Sequence, residues 1–266
     1  MRYAEFGNEL EEGLLLRSRS AVVSAERQRR YHDAAGVPAG HFGDCVDLSI
    51  LANDTILAMR YLKATPMDGL HAGQRMQQLA PVRLGEPLTV RGRVAKLRST
   101  ARGRFATAEF AIEDARGAEK VRGELSYFRV AEEVRVAPAG SDAPFDAAGW
   151  TVVLRKKLTP QVVAAYSHEF PDYRVHFDPR VAASVGLRAP VAQGLMSFTW
   201  MMQVLAGSGA PEKFALSATF RRPIFWDESV EVLRRGDALA VVGEDGRLRS
   251  AGKLGPTAST AAWPSS

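Results

Sequence analysis

The stretch 165-AYSHEFPDYRVHFDPRVA-182 gathers His168, Glu169, Asp172, His176 and Asp178 around Tyr173 and Arg174. Imidazole and carboxylate groups are the side chains that move protons near neutral pH. Held at a fixed distance, a histidine and a carboxylate can take a proton from water and deliver one to carbon. The stretch is too polar for a core element and too apolar at its edges for a plain surface loop. Each of its residues also has a bland reading. Asp178 precedes Pro179 and reads as the N-cap of a helix over 179-PRVAASVG-186, with proline at the first position. His168 reads as exposed at the end of the preceding helix, and Tyr166 as core-facing. His176 reads either as an acid/base or as a structural brace, and Asp172 either as its partner or as a solvated loop carboxylate.

No other chemistry stands out. The sequence has no metal-type Cys/His spacing, no P-loop, no GxGxxG after a strand and no GxSxG. Neither a metal nor a redox cofactor is expected. Cys45 is the single cysteine, which excludes a disulfide within the chain and fits a reducing cytoplasm. It is expected as a small buried apolar residue. The chain has 266 residues, 46% hydrophobic and 24% charged, enough core for one large or two small domains. Its net charge is +5, but the arginines are dispersed and no aromatics interleave with them. Nucleic acid is therefore not an expected partner. A mild basic bias does suit a polyanionic small molecule. The longest apolar run, Leu195 to Ala206, is too short to cross a bilayer. The beginning, MRYAEFGNELEEG, has no apolar core of a secretory signal. Neither a membrane nor export is expected.

The elements that must position the polar stretch come in two similar sets. The segment 16-LRSRSAVVSAERQRRYHDAAG-36 echoes 154-LRKKLTPQVVAAYSHEF-170, with Ser24 and Thr159 as N-caps and Tyr31 and Tyr166 matched at an offset of 135 residues. Further on, 81-PVRLGEPLTV-90 echoes 223-PIFWDESVEV-232 at an offset of 142 residues. Two echoes in the same order indicate duplication. In each half a capped helix and an irregular stretch precede an apolar helix, Val46–Ala64 and then Pro190–Ala206. The second of these is apolar nearly all round, and so is read as buried, its Met and Trp content being core. Alternating strands follow, at 88–97, 104–114 and 119–130, then at 213–220, 229–236, 237–245 and 247–254. The Pro/Gly/Ser-rich stretch 131–150 reads as a linker and 255–266 as a poorly ordered tail. A buried helix followed by a long antiparallel sheet, twice over, predicts an α+β double hotdog. Each sheet wraps its own helix, and the two join edge to edge. The expected units are 1–132, a linker at 133–149, 150–256 and a tail at 257–266.

With these residues in view, the second half resembles the MaoC-like dehydratases, also called the hydratase 2 or R-specific enoyl-CoA hydratase family. The resemblance runs through 166-YSHEFPDYRVHFDP-179, 190-PVAQGLM-196 and 214-FALSATFRRPIF-225. The first half resembles the partner hotdog of two-domain members over 70-LHAGQRMQQLAPVRLGEPLTVRGRV-94. The family pattern Gly-Asp-x-Asn-Pro-x-His is matched at His176 but not at its Asp, because Pro171 stands five residues before the histidine and Asp172 four. Either Asp172 fills that role from a shortened loop or the role is vacant. Phe170, Arg174, Val175, His176, Phe177 and Asp178 resemble a branch similar to mesaconyl-CoA hydratases, from which Pro171 and Tyr173 depart. The family's His-Gly is Gln193-Gly194 here, and its serine position falls at Thr199. The backbone N–H that polarises the thioester carbonyl aligns with Ala215, whose echo is Gly73.

The resemblance implies hydration of a 2-enoyl thioester to the 3-hydroxyacyl thioester, or the reverse, in fatty acid metabolism. An R outcome is implied by the resemblance alone. His176 and Asp172 would be catalytic, while Ala215, Gly194 and Thr199 would position the thioester. Arg174, Tyr173 and Gln193 would contact the substrate, although Arg174 is read first as bracing the loop. The acyl group would be carried by CoA or by a carrier protein, and a monomer or a homodimer fits equally. In the first half, 31-YHDAAGVPAGHFGD-44 has His41 and Asp44 in the opposite order, so that half is expected to receive the acyl chain without catalysing. Three rivals remain: a hotdog thioesterase, an acyl-thioester binding protein without activity, and a fold recruited to an unusual substrate.

Overall fold

The computed structural model describes residues 10–59, 69–101, 103–130, 143–208 and 212–256. In the first half, β1 (Arg19–Ala21) leads to α1 (Ala25–Ala35), then α2 (Leu48–Met59), β2 (Leu70–Gln78), β3 (Leu88–Thr100), β4 (Gly103–Asp114) and β5 (Glu119–Val130). In the second half, β6 (Thr151–Lys157) leads to α3 (Pro160–Tyr166), a 3-10 turn at Arg174–His176, α4 (Pro179–Ser184) and α5 (Gly194–Gly207). Strands β7 (Phe214–Phe220), β8 (Ser229–Arg235), β9 (Ala238–Gly243) and β10 (Leu248–Gly255) complete it. Among the described residues the strands form one sheet in the order β1-β3-β4-β5-β2-β7-β10-β9-β8-β6. With β1–β5 matched to β6–β10, this order reads the same from either end. That is the expected double hotdog.

The sequence echoes have local causes that the structure repeats. Ser24 accepts from the Arg27 N–H and Thr159 from the Val162 N–H, so the same N-cap starts α1 and α3. Glu86 accepts from the Arg83 N–H at 3.0 Å, and Glu228 from the Phe225 N–H at 3.1 Å. The Val46 N–H bonds to the Val82 carbonyl as the Ala192 N–H bonds to that of Ile224. Leu195, Met196, Phe198, Trp200 and Met201 of α5 are all buried, as an all-round apolar helix requires. The sheet closes on its helices where it has no side chain. A Cβ at Gly252 would lie 2.5 Å from Met201 of α5, and one at Gly123 3.4 Å from Thr55 of α2.

Several expectations need correction. The helix predicted over 46–64 starts at Leu48, because the Asp47 side chain accepts from the Ser49 N–H at 2.8 Å and ends the preceding chain; residues 60–64 lie outside the described residues. The helix predicted from Pro190 starts at Gly194. Strand β2 was not recognised as a strand, since LHAGQRMQQ is polar, yet it is the strand that joins the halves. The stretch 143–150 does not behave as a linker. The Phe145 N–H bonds to the Gly246 carbonyl, and Phe145 and Trp150 cover the second-half residues Leu233, Ala240 and Val242. The remainder, 131–142, and the tail from 257 lie outside the described residues. Cys45 is half-exposed, with the Arg83 guanidinium 3.3 Å from its sulfur. His168 is not free at a helix end: its ring packs on Tyr31 at 4.8 Å.

Three contacts lock the halves. Strands β2 and β7 pair antiparallel from Gly73↔Thr219 to Gln78↔Phe214. The echoed tyrosines meet, Tyr31 edge-on to Tyr166 at 5.1 Å. The Arg27 guanidinium grips Glu169 with two bonds, of 2.7 and 2.8 Å, and gives a third, of 2.8 Å, to Asp54. Asp54 is fully buried on α2 and also faces Arg19 at 3.2 Å. Burial pushes the Asp54 carboxyl up, against the pull of both arginines. Burial also pushes Glu169 up, but the hydrogen bonds from Arg27 outweigh it and leave that carboxyl below its ordinary value. On the other side of the seam, Lys156 donates to the Ala35 and Gly36 carbonyls at the end of α1 and to Gln203.

Removing one member of a buried charge pair strands the other. Arg27→Ala is therefore expected to cost about 3–5 kcal/mol in urea unfolding, and Arg27→Lys to recover only part of it, since lysine lacks the two-pronged grip. Burial lowers the Lys156 amine from the ordinary 10.5 to about 8. The unfolded chain then binds this proton first as pH falls, so stability from this group rises with pH between those values. The stability of the wild type relative to Lys156→Met should climb from pH 8 to pH 10, and a lysine titration by NMR should place this amine near 8.

Candidate active site

The polar stretch is a run of tight turns fixed at both ends. The Phe170 N–H bonds to Ser167, that of Tyr173 to Phe170 and that of His176 to Tyr173. Phe170 and Val175 are buried and hold it down, and the Tyr173 ring stands edge-on to Phe170 at 5.6 Å. Asp178 caps α4 as expected, accepting from the Arg180 N–H at 2.9 Å. The Asp178 carboxyl is held below its ordinary value by that N–H and by Arg174. Arg174 bonds directly to Asp178, a contact that braces the loop. Asp172 is exposed on the turn that leads to His176.

His176 is half-buried, and its Nδ1 lies 2.7 Å from the Val191 carbonyl. A carbonyl only accepts, so Nδ1 carries the hydrogen. The neutral ring therefore presents its lone pair at Nε2. Val191 is itself held: its N–H bonds to the Val175 carbonyl, and it bridges to Phe225. Two residues later α5 begins. The N-cap Gln193 makes no capping hydrogen bond with its side chain. Gln193 is 8% exposed, and its Nε2 has no partner among the described residues. At Gly194 a Cβ would lie 2.9 Å from the Phe220 ring, so only glycine lets the strand end sit this close. The first N–H groups of a helix have no acceptor within it and carry its positive end.

The equivalent place in the first half is closed. Asp47 matches Gln193, since the Ile50 N–H bonds to the Asp47 carbonyl as the Met196 N–H bonds to that of Gln193. The fully buried Asp47 carboxylate accepts from the Ser49 N–H and faces His32 at 3.1 Å. One helix N-terminus is thus capped by a side chain, while the other has no side-chain cap and follows closely on the Val191 carbonyl that holds His176. His41 does not reach α2's N-terminus. It bonds to the Gln203 carbonyl at 2.8 Å near the end of α5, and Asp44 pairs with Arg83 at 2.6 Å.

Two residues expected to position a thioester do not lie at this helix start. Ala215 sits inside the sheet, in register with Gln77 on one side and Gly255 on the other. In a strand paired on both sides the N–H groups belong to the ladder. Thr199 is fully buried and bonds to Tyr166 at 2.7 Å, to Ser49 at 2.9 Å and to the Leu195 carbonyl, a hydroxyl chain across the seam. The structure instead gathers His176, Gln193 and Gly194 with Phe220, whose ring meets His71 of β2 at 4.8 Å. Phe220 and His71 were missed. Neither residue type signals a site alone, and their neighbourhood exists only because β2 pairs with β7. Gly73, the echo of Ala215, faces Thr219 on the same seam. Among the described residues there is no cluster of three metal-ligating side chains, and no helix is long and apolar enough to cross a membrane.

No family model and no curated protein matches the sequence. Solved structures match nearly its whole length. HtdX from Mycobacterium tuberculosis superposes with a TM-score of 0.71 at 16% identity, over 90% of this chain and 99% of that one. A MaoC-like dehydratase from Phytophthora capsici gives a TM-score of 0.70 at 17% identity, over 91% of this chain and 95% of that one. A further Mycobacterium tuberculosis protein, described as a double hotdog, gives 0.63 at 10% identity, over 92% and 96%. At these identities the likeness is one of fold, and that fold is the double hotdog of the MaoC-like dehydratases.

Proposed function

We propose that the protein interconverts a 2-enoyl thioester and its 3-hydroxyacyl thioester by adding or removing water at the N-terminus of α5. The observation that carries this reading is the contrast between the two central helices. The start of α2 is capped by the Asp47 side chain, whereas α5 starts at Gly194 without a side-chain cap, three residues after the Val191 carbonyl that holds His176 Nδ1. The fold shared with proteins named MaoC-like dehydratases supports the same reading.

In this mechanism the thioester oxygen lies at the Gly194 N–H, a donor already fixed and already at the positive end of a helix dipole. Water is held between His176 and Asp172. His176 Nε2 takes its proton as the oxygen attacks Cβ, and the electron pair of the double bond moves through Cα onto the thioester oxygen. The resulting enolate is stabilised where the donor stands. The same imidazolium, or the water chain it serves, returns a proton to Cα, so that one water is consumed and no co-reactant is needed. Dehydration is the reverse. Gln193 Nε2, a buried donor at the same N-cap, supplies a second contact to the oxygen.

The test is loss of absorbance at the enoyl-thioester band with short, long and branched 2-enoyl-CoAs, with free thiol followed in parallel. Purified protein should consume the band without releasing thiol, and His176→Ala and Asp172→Asn should each lower kcat by about 10²–10⁴. Thiol release would mean a thioesterase, and an inactive panel would leave a binding protein. Gln193→Asp copies the first half's cap onto α5. It should raise stability by about 1 kcal/mol in urea while cutting kcat by about 10²–10³, because a carboxylate then stands beside the developing oxyanion in place of the Gln193 donor. A more stable but fully active Gln193→Asp would remove α5 from the mechanism.

A further inference from the structure

The relation that matches α1 to α3 and α2 to α5 reveals one place where the halves differ in volume. In the second half, three side chains fill the space beside the edge strand β6. Trp200 donates its indole N–H to the Ala35 carbonyl at 2.9 Å, and Lys156 reaches the Ala35 and Gly36 carbonyls and the Gln203 side chain. Their first-half counterparts are smaller. Ala21 of β1 matches Lys156, at the offset of 135 residues that also relates Ser24 to Thr159, and it pairs with Leu88 as Lys156 pairs with Val230. Asp54 matches Trp200 and Leu57 matches Gln203, at the offset of 146 residues that relates Asp47 to Gln193. Packing agrees with this second match, because a Cβ at Gly123 would touch Thr55 as one at Gly252 would touch Met201. Ala21, Asp54 and Leu57 all line one pocket of about 360 Å³, which Arg19, Arg27 and Glu169 complete. What the second half plugs with its own side chains is a pocket in the first.

The hydrogen bonds already made decide what such a pocket can take. Arg27 is spent: it gives two bonds to Glu169, one to Asp54 Oδ2 and a longer one, of 3.4 Å, to the Val22 carbonyl. Asp54 Oδ1 and Arg19 are not. That oxygen belongs to a fully buried residue and accepts no hydrogen bond among the described residues, and the buried Arg19 Nε donates none. Arg19 Nη2 stands 3.2 Å from Oδ1, an ion pair without hydrogen-bond geometry. Buried charges left short of hydrogen bonds are costly. A simple anion would satisfy Arg19 but meet the buried Asp54 carboxylate, and a simple cation would do the reverse. A ligand that carries both charges close together satisfies both. Beside these groups the wall is apolar: Ala21, Leu57 and Val22, which is 45% exposed.

We infer that this pocket binds a zwitterionic α-amino acid with a large apolar side chain. Its carboxylate lies on Arg19 and its ammonium on Asp54 Oδ1. Its side chain lies against Ala21, Val22 and Leu57, where the Trp200 indole stands in the other half. Nothing in this assignment depends on the thioester reading. The probe is L-tryptophan, titrated into the full chain and followed by calorimetry and by methyl NMR. Binding is expected, with the methyl signals of Val22 and Leu57 shifting and those of Val153, on the opposite edge strand, staying in place. Tryptamine lacks the carboxylate and indole-3-propionate lacks the ammonium. Each should bind at least about tenfold more weakly, the size of one lost charge-assisted hydrogen bond. Glycine keeps both charges without the apolar side chain and should also bind at least about tenfold more weakly. Arg19→Gln should weaken L-tryptophan by about tenfold or more. Ala21→Lys copies Lys156 and brings an amine to Asp54, and it should abolish binding. Urea unfolding checks that both variants fold, and Arg19→Gln, at a partly exposed edge position, decides the matter if Ala21→Lys does not. No binding of L-tryptophan, equal binding of tryptamine or indole-3-propionate, or binding that survives the substitutions unchanged would each overturn the inference.

Discussion

An α-helix that is apolar on every side can be stable only if it is enclosed. That constraint governs this protein. Leu195, Met196, Phe198, Trp200 and Met201 face in all directions around α5, and every one is buried. One sheet cannot cover a helix all round while leaving its own edges unpaired. Joining β2 to β7 resolves both demands, since the continuous sheet curls over α2 and α5 and the helices cover each other's exposed sides. The buried hydroxyl chain Tyr166–Thr199–Ser49 lies where the two helices meet, so the polar groups brought in by duplication satisfy one another across the seam.

Duplication gives two equivalent places for a site, and small differences in sequence separate their fates. At the first helix start, Asp47 caps its own backbone and is itself satisfied by His32, with Gln28 bonding to the Asp47 N–H. Nothing remains there for a ligand to bind. At the second, glutamine replaces the carboxylate and glycine admits the Phe220 ring. A helix start without a side-chain cap leaves its first N–H groups without an acceptor from the helix itself, at its positive end.

The clamp of Arg27 on Glu169 and Asp54 connects these levels. Glu169 stands at the start of the turns that lead to His176, and Arg27 belongs to the first helix of the other half. The segment that bears the candidate acid/base is therefore fixed from both sides: by Arg27 at its beginning, and by Val191 and the capped α4 at its end.

Much of this was legible in the sequence. The echoes Ser24/Thr159 and Glu86/Glu228 were visible because caps and turns are local, satisfied within three or four residues, and so leave their signature in spacing. The burial of α5 was visible because its period has no polar side. His176 stood out by residue type and by its neighbours Phe177 and Asp178. What the sequence could not show depends on strands meeting far along the chain. β2 was overlooked because its buried positions include polar side chains, Gln74 and Gln77, so LHAGQRMQQ shows no apolar alternation. Ala215 looked like a carbonyl-binding N–H until its ladder partners Gln77 and Gly255 were known, and Thr199 looked available until Ser49, 150 residues away, was found against it. His71 and Phe220 come together only through the register of β2 on β7. The sequence by itself determined which segments repeat, which helix is buried and which histidine to watch. Tertiary structure alone decided which polar groups are already spent and which are left without a partner, because hydrogen-bond satisfaction is a property of neighbours in space.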